Sequence, residues 1–292
     1  MKQFFCLGLT LLIGLSLQAQ MLNDPVYVNC TWQPRTDIKN ANSTLSQVAL
    51  EMGVTMPLLQ KTQTKLYQSV YYRNSNFSHK NIGLQAFSTI HDARYTLTLR
   101  QQLYKNFDVL VMPRLLLRSD LRQSVSHKDL FYAGVVSVNY AVLGNPNFKI
   151  GVGAALNNDF RHNAIILFGM LTYYAPKWRV EITPLTANVA YKLQNKWEAG
   201  LFVHIDGALS HIKSVPLADG SESQYLRNYQ ILVAPNLTYP VYKNIMGHLK
   251  IGVAPSRNYQ YVDNDFEKIA STLQKMNNSF FVKAGFSFRI NN

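Results

Sequence analysis

The final 13 residues, 280–292, read FFVKAGFSFRINN. Every second residue from Val282 is apolar: Val282, Ala284, Phe286, Phe288 and Ile290. The positions between them are Lys283, Gly285, Ser287, Arg289 and Asn291. Successive side chains of a strand point to opposite faces, so this stretch is a strand with one oily face and one polar face. Such a strand separates two solvents. Which two is decided by how often the pattern recurs, and at what length.

The alternation runs through the chain. Tyr95, Leu97, Leu99 and Leu103 alternate with Arg94, Thr96, Thr98, Arg100 and Gln102. Phe107, Val109, Val111, Leu115 and Leu117 oppose Asp108, Arg114 and Arg118. Phe148, Ile150, Val152, Ala154 and Leu156 face away from Lys149, Gly151, Gly153, Ala155 and Asn157. Trp197, Ala199, Leu201, Val203 and Ile205 oppose Glu198, Gly200, His204 and Asp206. Ile245, Gly247, Leu249, Ile251 and Val253 oppose His248, Lys250, Gly252 and Ser256. A transmembrane strand needs roughly 9–11 residues, whereas soluble strands run to about 5 or 6. Several runs reach the larger figure. Inside hydrocarbon an unpaired backbone N–H or C=O costs several kcal/mol, so an open sheet edge is excluded there. The pattern therefore predicts an all-β fold, a closed antiparallel transmembrane β-barrel.

The connections carry the second signal. Tight turns are expected in LYKNF (103–107), LGNPNF (143–148), APKW (175–178), LQNKW (193–197), YKNI (242–245) and PLLQKTQTK (57–65). Most hold Asn, Pro or Gly, the usual turn residues. An aromatic residue follows closely in most of them, where a strand would re-enter the membrane interface. Longer polar stretches at 73–92, 119–128, 157–163, 209–224 and 257–277 are expected as loops on the opposite rim. Short turns on one rim and long loops on the other is the asymmetry of an outer-membrane barrel.

One interval resists this rule. Only WRVEITPLTANVAYKL lies between APKW and LQNKW, and one strand cannot leave a rim and return to it. A short hairpin with Pro184 at its tip resolves the conflict, because a missing N–H disturbs pairing least there. With a first strand at 25–34, the count is about 14. If the Pro184 hairpin does not cross, it is about 12.

Residues 1–19 have the anatomy of a cleaved signal peptide, with Lys2 as the basic start, Phe4 to Leu17 as an apolar stretch, and Ala19 at the cleavage point. Residues 20–292 are then expected to form a single barrel domain. Beyond the signal, Cys30 is the one cysteine, so an intramolecular disulfide is excluded. Lys and Arg total 29 against 16 Asp and Glu, a net charge of +13. In an exported chain this excess points to anionic lipid headgroups or anionic solutes and not to nucleic acid. The 17 Tyr and 15 Phe, with charged residues at 15%, suit a chain with a large apolar outer surface.

Taken in order, VYVNCTWQP, QVALEMGVTMPLLQKTQTKLYQSVYY, PKWRVEITPLTANVAYKLQNKWEAGL and a terminal KAGFSFRI resemble an uncharacterised family of outer-membrane β-barrel proteins from Bacteroidota, a domain of unknown function. The resemblance covers most of the chain after the signal. It implies location and fold, and it carries over no catalytic residue. GFSFRI also resembles the aromatic-rich terminal strand that barrel assembly machinery recognises, although Asn291 and Asn292 extend past the usual end.

Sorting the alternation gives the expected lumen-lining set: Arg94, Arg100, Arg114, Arg118, Lys149, Arg179, Lys192, Lys250, Lys283 and Arg289, accompanied by Glu51, Asp108, Glu181, Glu198 and Asp206. An interior richer in cations would prefer anions. The competing expectation is a filled barrel whose interior charges pair with each other. His204 and Asp206 stand two apart on one inward face, and a His–Asp pair beside a nucleophile is hydrolase chemistry. No serine stands out as its partner, and a hydrogen-bonded His204 in a polar lumen is the simpler account. His248 is also placed inward. GVG at 151–153 lies mid-strand and reads as strand packing, not a phosphate loop. His79, His91, His127, His162 and His211 fall in or beside loops without metal-ligand spacing. FEKIASTLQKM (266–276) is expected as a short helix over the mouth.

These observations predict an outer-membrane barrel without catalysis, cofactor or metal. It would be a narrow anion-preferring conduit or a surface-binding barrel, in contact with outer-membrane lipid and lipopolysaccharide. The alternatives are an outer-membrane hydrolase of lipid or peptide using a His/Asp pair, and a soluble exported β-sandwich.

Overall fold

The computed structural model describes residues 24–39, 41–80, 87–157, 164–194, 197–217, 222–263, 265, 266, 269 and 272–289. The expected signal peptide, His162 and Ile290 lie outside these residues.

The strands are β1 (Val26–Asp37), β2 (Thr44–Gln60), β3 (Thr64–Lys80), β4 (Thr89–Tyr104), β5 (Phe107–Ser119), β6 (Leu130–Ala141), β7 (Phe148–Asn157) and β8 (Ala164–Tyr174). They continue as β9 (Trp178–Ile182), β10 (Thr186–Lys192), β11 (Glu198–Pro216), β12 (Glu222–Tyr242), β13 (Ile245–Val262), β14 (Gln274–Lys275) and β15 (Ser279–Phe288). Each strand from β1 to β13 pairs antiparallel with the next, β13 pairs with β15, and β15 with β1. The result is a closed ring of 14 strands, with the two-residue β14 added beside β13. Closure gives each strand of the ring a partner on both sides over at least part of its length, which is how a sheet avoids two free edges in hydrocarbon.

The opening strand closes the ring as its pattern requires. Val28 pairs with Phe286 and Trp32 with Val282, and this oily face is turned outward. Val152, Ile165 and Leu167 are 68%, 72% and 81% exposed, so the outer surface carries a continuous apolar belt. All six expected short turns fall between consecutive strands.

The other rim departs from expectation. Much of 73–92, 209–224 and 257–277 is strand and not loop: β3 runs to Lys80, β4 begins at Thr89, β11 reaches Pro216 and β13 reaches Val262. With 19, 21 and 18 residues, β11, β12 and β13 exceed the roughly 9–11 that cross hydrocarbon. The polar residues read as loop are the inner and aqueous surfaces of strands continuing past the membrane. Likewise, the helix expected over 266–276 is absent at its C-terminal end. Gln274 and Lys275 form β14 against Tyr259 and Asn258, and Met276 bridges to Ile38. Residues 267, 268, 270 and 271 lie outside the described set.

The Pro184 hairpin exists, with Thr183 N–H donating to the Thr186 carbonyl at 2.8 Å. It joins the ring, yet β9 has 5 residues and β10 has 7, too few to cross hydrocarbon. This shortness reshapes the barrel. β10 covers β11 only from Glu198 to His204. Above that level β11 turns inward, and His211 pairs in parallel with Ser119 of β5. The Asp120 N–H donates to the His211 carbonyl at 3.2 Å. The upper barrel therefore closes a second time, through β5, β4, β3, β2, β1, β14, β13, β12 and β11, bypassing β6 to β8. Leu209, on the outward-facing parity of β11, packs against Leu116 and Phe131 on the inner faces of β5 and β6.

Candidate functional site

The interior of the ring is layered. Near the short turns, Asp108 of β5 accepts from Arg100 Nη2 at 2.5 Å, Lys149 Nζ at 2.7 Å and Asn139 Nδ2 at 2.9 Å. Also at this end, Glu198 holds Arg179 at 3.4 Å and Arg289 at 2.8 Å, and Arg289 also reaches Asp24 at 3.2 Å. Glu181 accepts from Tyr174 Oη at 2.6 Å and lies 3.6 Å from Arg179. Lys192 Nζ donates to the Ala175 carbonyl at 3.3 Å. One layer up, Lys283 pairs with Glu51, which also accepts from Tyr71 Oη at 3.2 Å.

Above this, three contacts, Arg73–Asp206, Gln33–Gln230 and Arg257–Gln47, run as chords between strands that are not neighbours. Arg73 of β3 meets Asp206 of β11 at 2.8 Å. Gln230 of β12 donates to Asp206 at 2.9 Å and accepts from Gln33 of β1 at 2.8 Å. Arg257 of β13 donates to Gln47 of β2 at 2.8 Å. Asp92 is shared by Arg94 at 2.5 Å and Arg118 at 3.2 Å. Arg114 lies on the face of β5 that carries Asp108 and Arg118. Lys250 sits 3.7 Å from the Phe202 ring centre, a cation–π contact beside the apolar cluster of Phe202, Leu232, Ala234, Ala254 and Phe281.

A cavity of about 20 Å³ lies between Arg73, Asp92, Ser210 and Asn228, room for a single water. Over it the interior turns oily. Leu45, Phe77, Phe87, Ile90, Ile212 and Leu226 pack with Tyr259 and Met276 into a buried core inside the upper ring. Phe87 stacks on Tyr259 with ring centres 5.3 Å apart, and Phe77 meets both edge-on.

The expected His204–Asp206 pair does not form. His204 Nδ1 contacts Thr186 Oγ1 at 2.9 Å and the Leu185 carbonyl at 3.1 Å, at the hairpin tip. Asp206 is taken by Arg73 and Gln230. His248 lies between Thr238 Oγ1 at 3.1 Å and Ser287 Oγ at 2.6 Å. Alternation places side chains two apart on one face but does not decide which strand each one meets.

Several interior residues were not legible as such. Phe77, Phe87, Arg257 and Tyr259 fall in stretches that read as loops; Phe77 keeps the parity of β3, whereas Arg257 and Tyr259 face inward only because an irregularity in the β12–β13 register between Ser256 and Val253 shifts the parity of β13. A His–Asp contact does form at the outer rim, where His211 Nδ1 is 2.8 Å from Asp129 Oδ1, one residue before β6. Burial works to raise the Asp129 pKa, but hydrogen bonds from Ser119, the Ser126 N–H and His211 outweigh it and hold the carboxyl below its ordinary value. Nothing in the local spacing of Asp129 and His211 announces this contact. Among the described residues, no group of three or more His, Cys, Asp or Glu could hold a metal.

Among solved structures the fold is similar to the NanC porin, at 9% identity and a TM-score of 0.38, covering 90% of this chain and 99% of that one. It is similar to the Pseudomonas putida toluene transporter TodX, at 9% identity, a TM-score of 0.35 and 93% coverage of both chains. It is also similar to LpxR from Salmonella typhimurium, at 8% identity and a TM-score of 0.34, covering 90% of this chain and 100% of that one. No curated protein matches the chain in sequence. The profile of a family described as a domain of unknown function, DUF6268, matches residues 15–289. That match spans nearly the whole sequence, and the chain belongs to the DUF6268 family.

Proposed function

We propose that this protein is an outer-membrane barrel that binds a ligand without acting as an open pore. The observation that carries this reading is the stack of Phe77, Phe87 and Tyr259 over the Arg73–Asp206 and Gln33–Gln230 chords. Packed aromatic rings above, and paired polar side chains below, occupy the interior of the main ring. Small barrels are filled in this way, and the inward turn of β11 makes the upper half of this 14-strand barrel a small one. The cations expected to favour anions do not act as a free positive ring, because Arg94, Arg100, Arg118, Lys149, Arg179, Lys283 and Arg289 each hold a carboxylate.

The apolar belt supports an outer-membrane location, surrounded by lipid and lipopolysaccharide and reached through the barrel assembly machinery. Catalysis is not part of this reading, since His204 and Asp206 serve separate partners. Planar-bilayer recording tests it. The refolded protein is expected to give no steady conductance, and a stable open level that shrinks on R100E would restore the anion conduit.

A further inference from the structure

The small cavity in the upper ring lies where the inner faces of four strands meet. On β3 and β4, Arg73 is opposite Asp92 and Ser75 is opposite Ile90. On β11 and β12, across the barrel, Ala208 is opposite Asn228 and Ser210 is opposite Leu226. Together with Phe77 they line a space of about 20 Å³, the size of one water or one monatomic ion.

The wall of this cavity is short of acceptors. Arg73 gives Nη1 to Asp206 at 2.8 Å, but its Nε is buried with no hydrogen-bond partner. Ser75 and Ser210 are 6% and 2% exposed, and among the described residues neither hydroxyl is hydrogen-bonded. The Asn228 side chain has no partner among them either. Buried polar groups are bonded as a rule, and each exception calls for a guest or a reason. All four of these groups can donate: Arg73 Nε–H does nothing else, Asn228 carries an amide NH2, and each hydroxyl can turn its proton inward. The one carboxylate on the wall, Asp92, already accepts from Arg94 and Arg118.

The charges around it are unbalanced in the same sense. Arg94 and Arg118 share Asp92, and Arg73 takes Asp206. Arg257, 1% exposed, donates to Gln47 and Tyr259, has no carboxylate partner among the described residues, and keeps Nη1 without a hydrogen bond. Glu51, one layer below, is held by Lys283. Four guanidinium groups thus stand against two carboxylates, and buried charge is costly unless it is paired.

We infer that this cavity holds one monovalent anion of halide size, chloride under ordinary conditions, accepting from Arg73, Ser75, Ser210 and Asn228. Water would fill the volume but leave the charge uncorrected, and it would bring two more protons to a wall of donors. A polyatomic oxyanion is too large. A halide accepts from every side and, being weakly hydrated, tolerates Phe77 and Leu226 beside it. This ion is a fixed part of the interior and not the ligand of the proposal above, so its test does not depend on that reading.

The test is urea unfolding of the refolded barrel in sodium gluconate, whose anion is too large for the cavity, with chloride substituted at constant ionic strength. The midpoint should rise with chloride and level off, because a ligand bound only by the folded state stabilises it. Identical midpoints in chloride and gluconate would overturn the proposal. S210A removes one neutral hydrogen bond and should raise the chloride concentration for half the effect about fivefold. An unchanged curve for S210A would put the anion elsewhere and overturn the site. A208V fills the cavity and should abolish the chloride response; heat-modifiable gel migration shows that it still folds. In crystals grown with bromide, an anomalous peak should lie in the cavity against Arg73 and Ser210. A cavity without that peak, or a peak accompanied by a flat midpoint curve and so an adventitious ion only, overturns the inference.

Discussion

Arg73 of β3 and Asp206 of β11 meet across the barrel interior, Nη1 to Oδ2 at 2.8 Å, with five strands between them along the shorter arc of the wall. Breaking a buried pair by removing one partner leaves an uncompensated charge and costs about 3–5 kcal/mol, whereas an apolar replacement of both is often near neutral. D206A should therefore lower the urea midpoint of the refolded barrel strongly. R73L/D206L should recover much of that loss. Equal midpoints for wild type and D206A would show that the chord is not formed in lipid.

Phe281 of β15 points inward and is fully buried against Phe202, Leu232, Ala234 and Ala254. F281A should cost about 3–5 kcal/mol, the range for emptying a buried aromatic site. Its neighbour Phe280 is 42% exposed on the outer face, and F280L should change stability little. The pair of variants reads the parity of the closing strand directly through their unfolding midpoints.

Charge on the outer face should be penalised by depth. Leu167 is 81% exposed on β8, and L167R should cost about 2–4 kcal/mol if that position lies near the bilayer midplane. Leu143 is 95% exposed but sits in the short turn after β6, where L143R meets water and should be neutral. Urea unfolding in vesicles distinguishes the two.

At the outer rim, Asp129 is held below its ordinary pKa by the hydrogen bonds it accepts from Ser119, Ser126 and His211. A depressed carboxyl pKa adds stability that is fully present above the unfolded value of 3.8 and is lost as pH falls through the folded value. Limited proteolysis of the 119–129 segment should therefore be flat from neutral pH down to about pH 5 and accelerate only in stronger acid. D129N should be cleaved faster at neutral pH.

The fold was legible because its determinants are local. Alternation from Tyr95 to Leu103, or from Val282 to Ile290, needs no knowledge of the rest of the chain, and each short turn carries its own Asn, Pro or Gly. Even the Pro184 hairpin could be inferred, from a strand that could not return to its own rim. The interior was legible only as a set of faces. Nothing near Gln33 in sequence names Gln230 as its partner, since that contact depends on ring closure and on the register of every strand between. The inward turn of β11 was hidden for a related reason: it follows from the shortness of β9 and β10, which denies β11 a neighbour above His204. Phe77 and Arg257 were missed because polar residues around them imitate a loop where a strand has left the membrane.

The claim on which the rest depends is that hydrocarbon covers the belt. Trp32 faces outward on β1, 47% exposed and six residues beyond Val26 at the short-turn end of the strand, about 20 Å along it. The chain has three tryptophans, and W178F/W197F leaves Trp32 as the sole reporter. In vesicles of lipid brominated along the acyl chain, Trp32 fluorescence should be strongly quenched relative to unbrominated lipid. Unchanged fluorescence, with the protein monodisperse in plain buffer, would contradict the account.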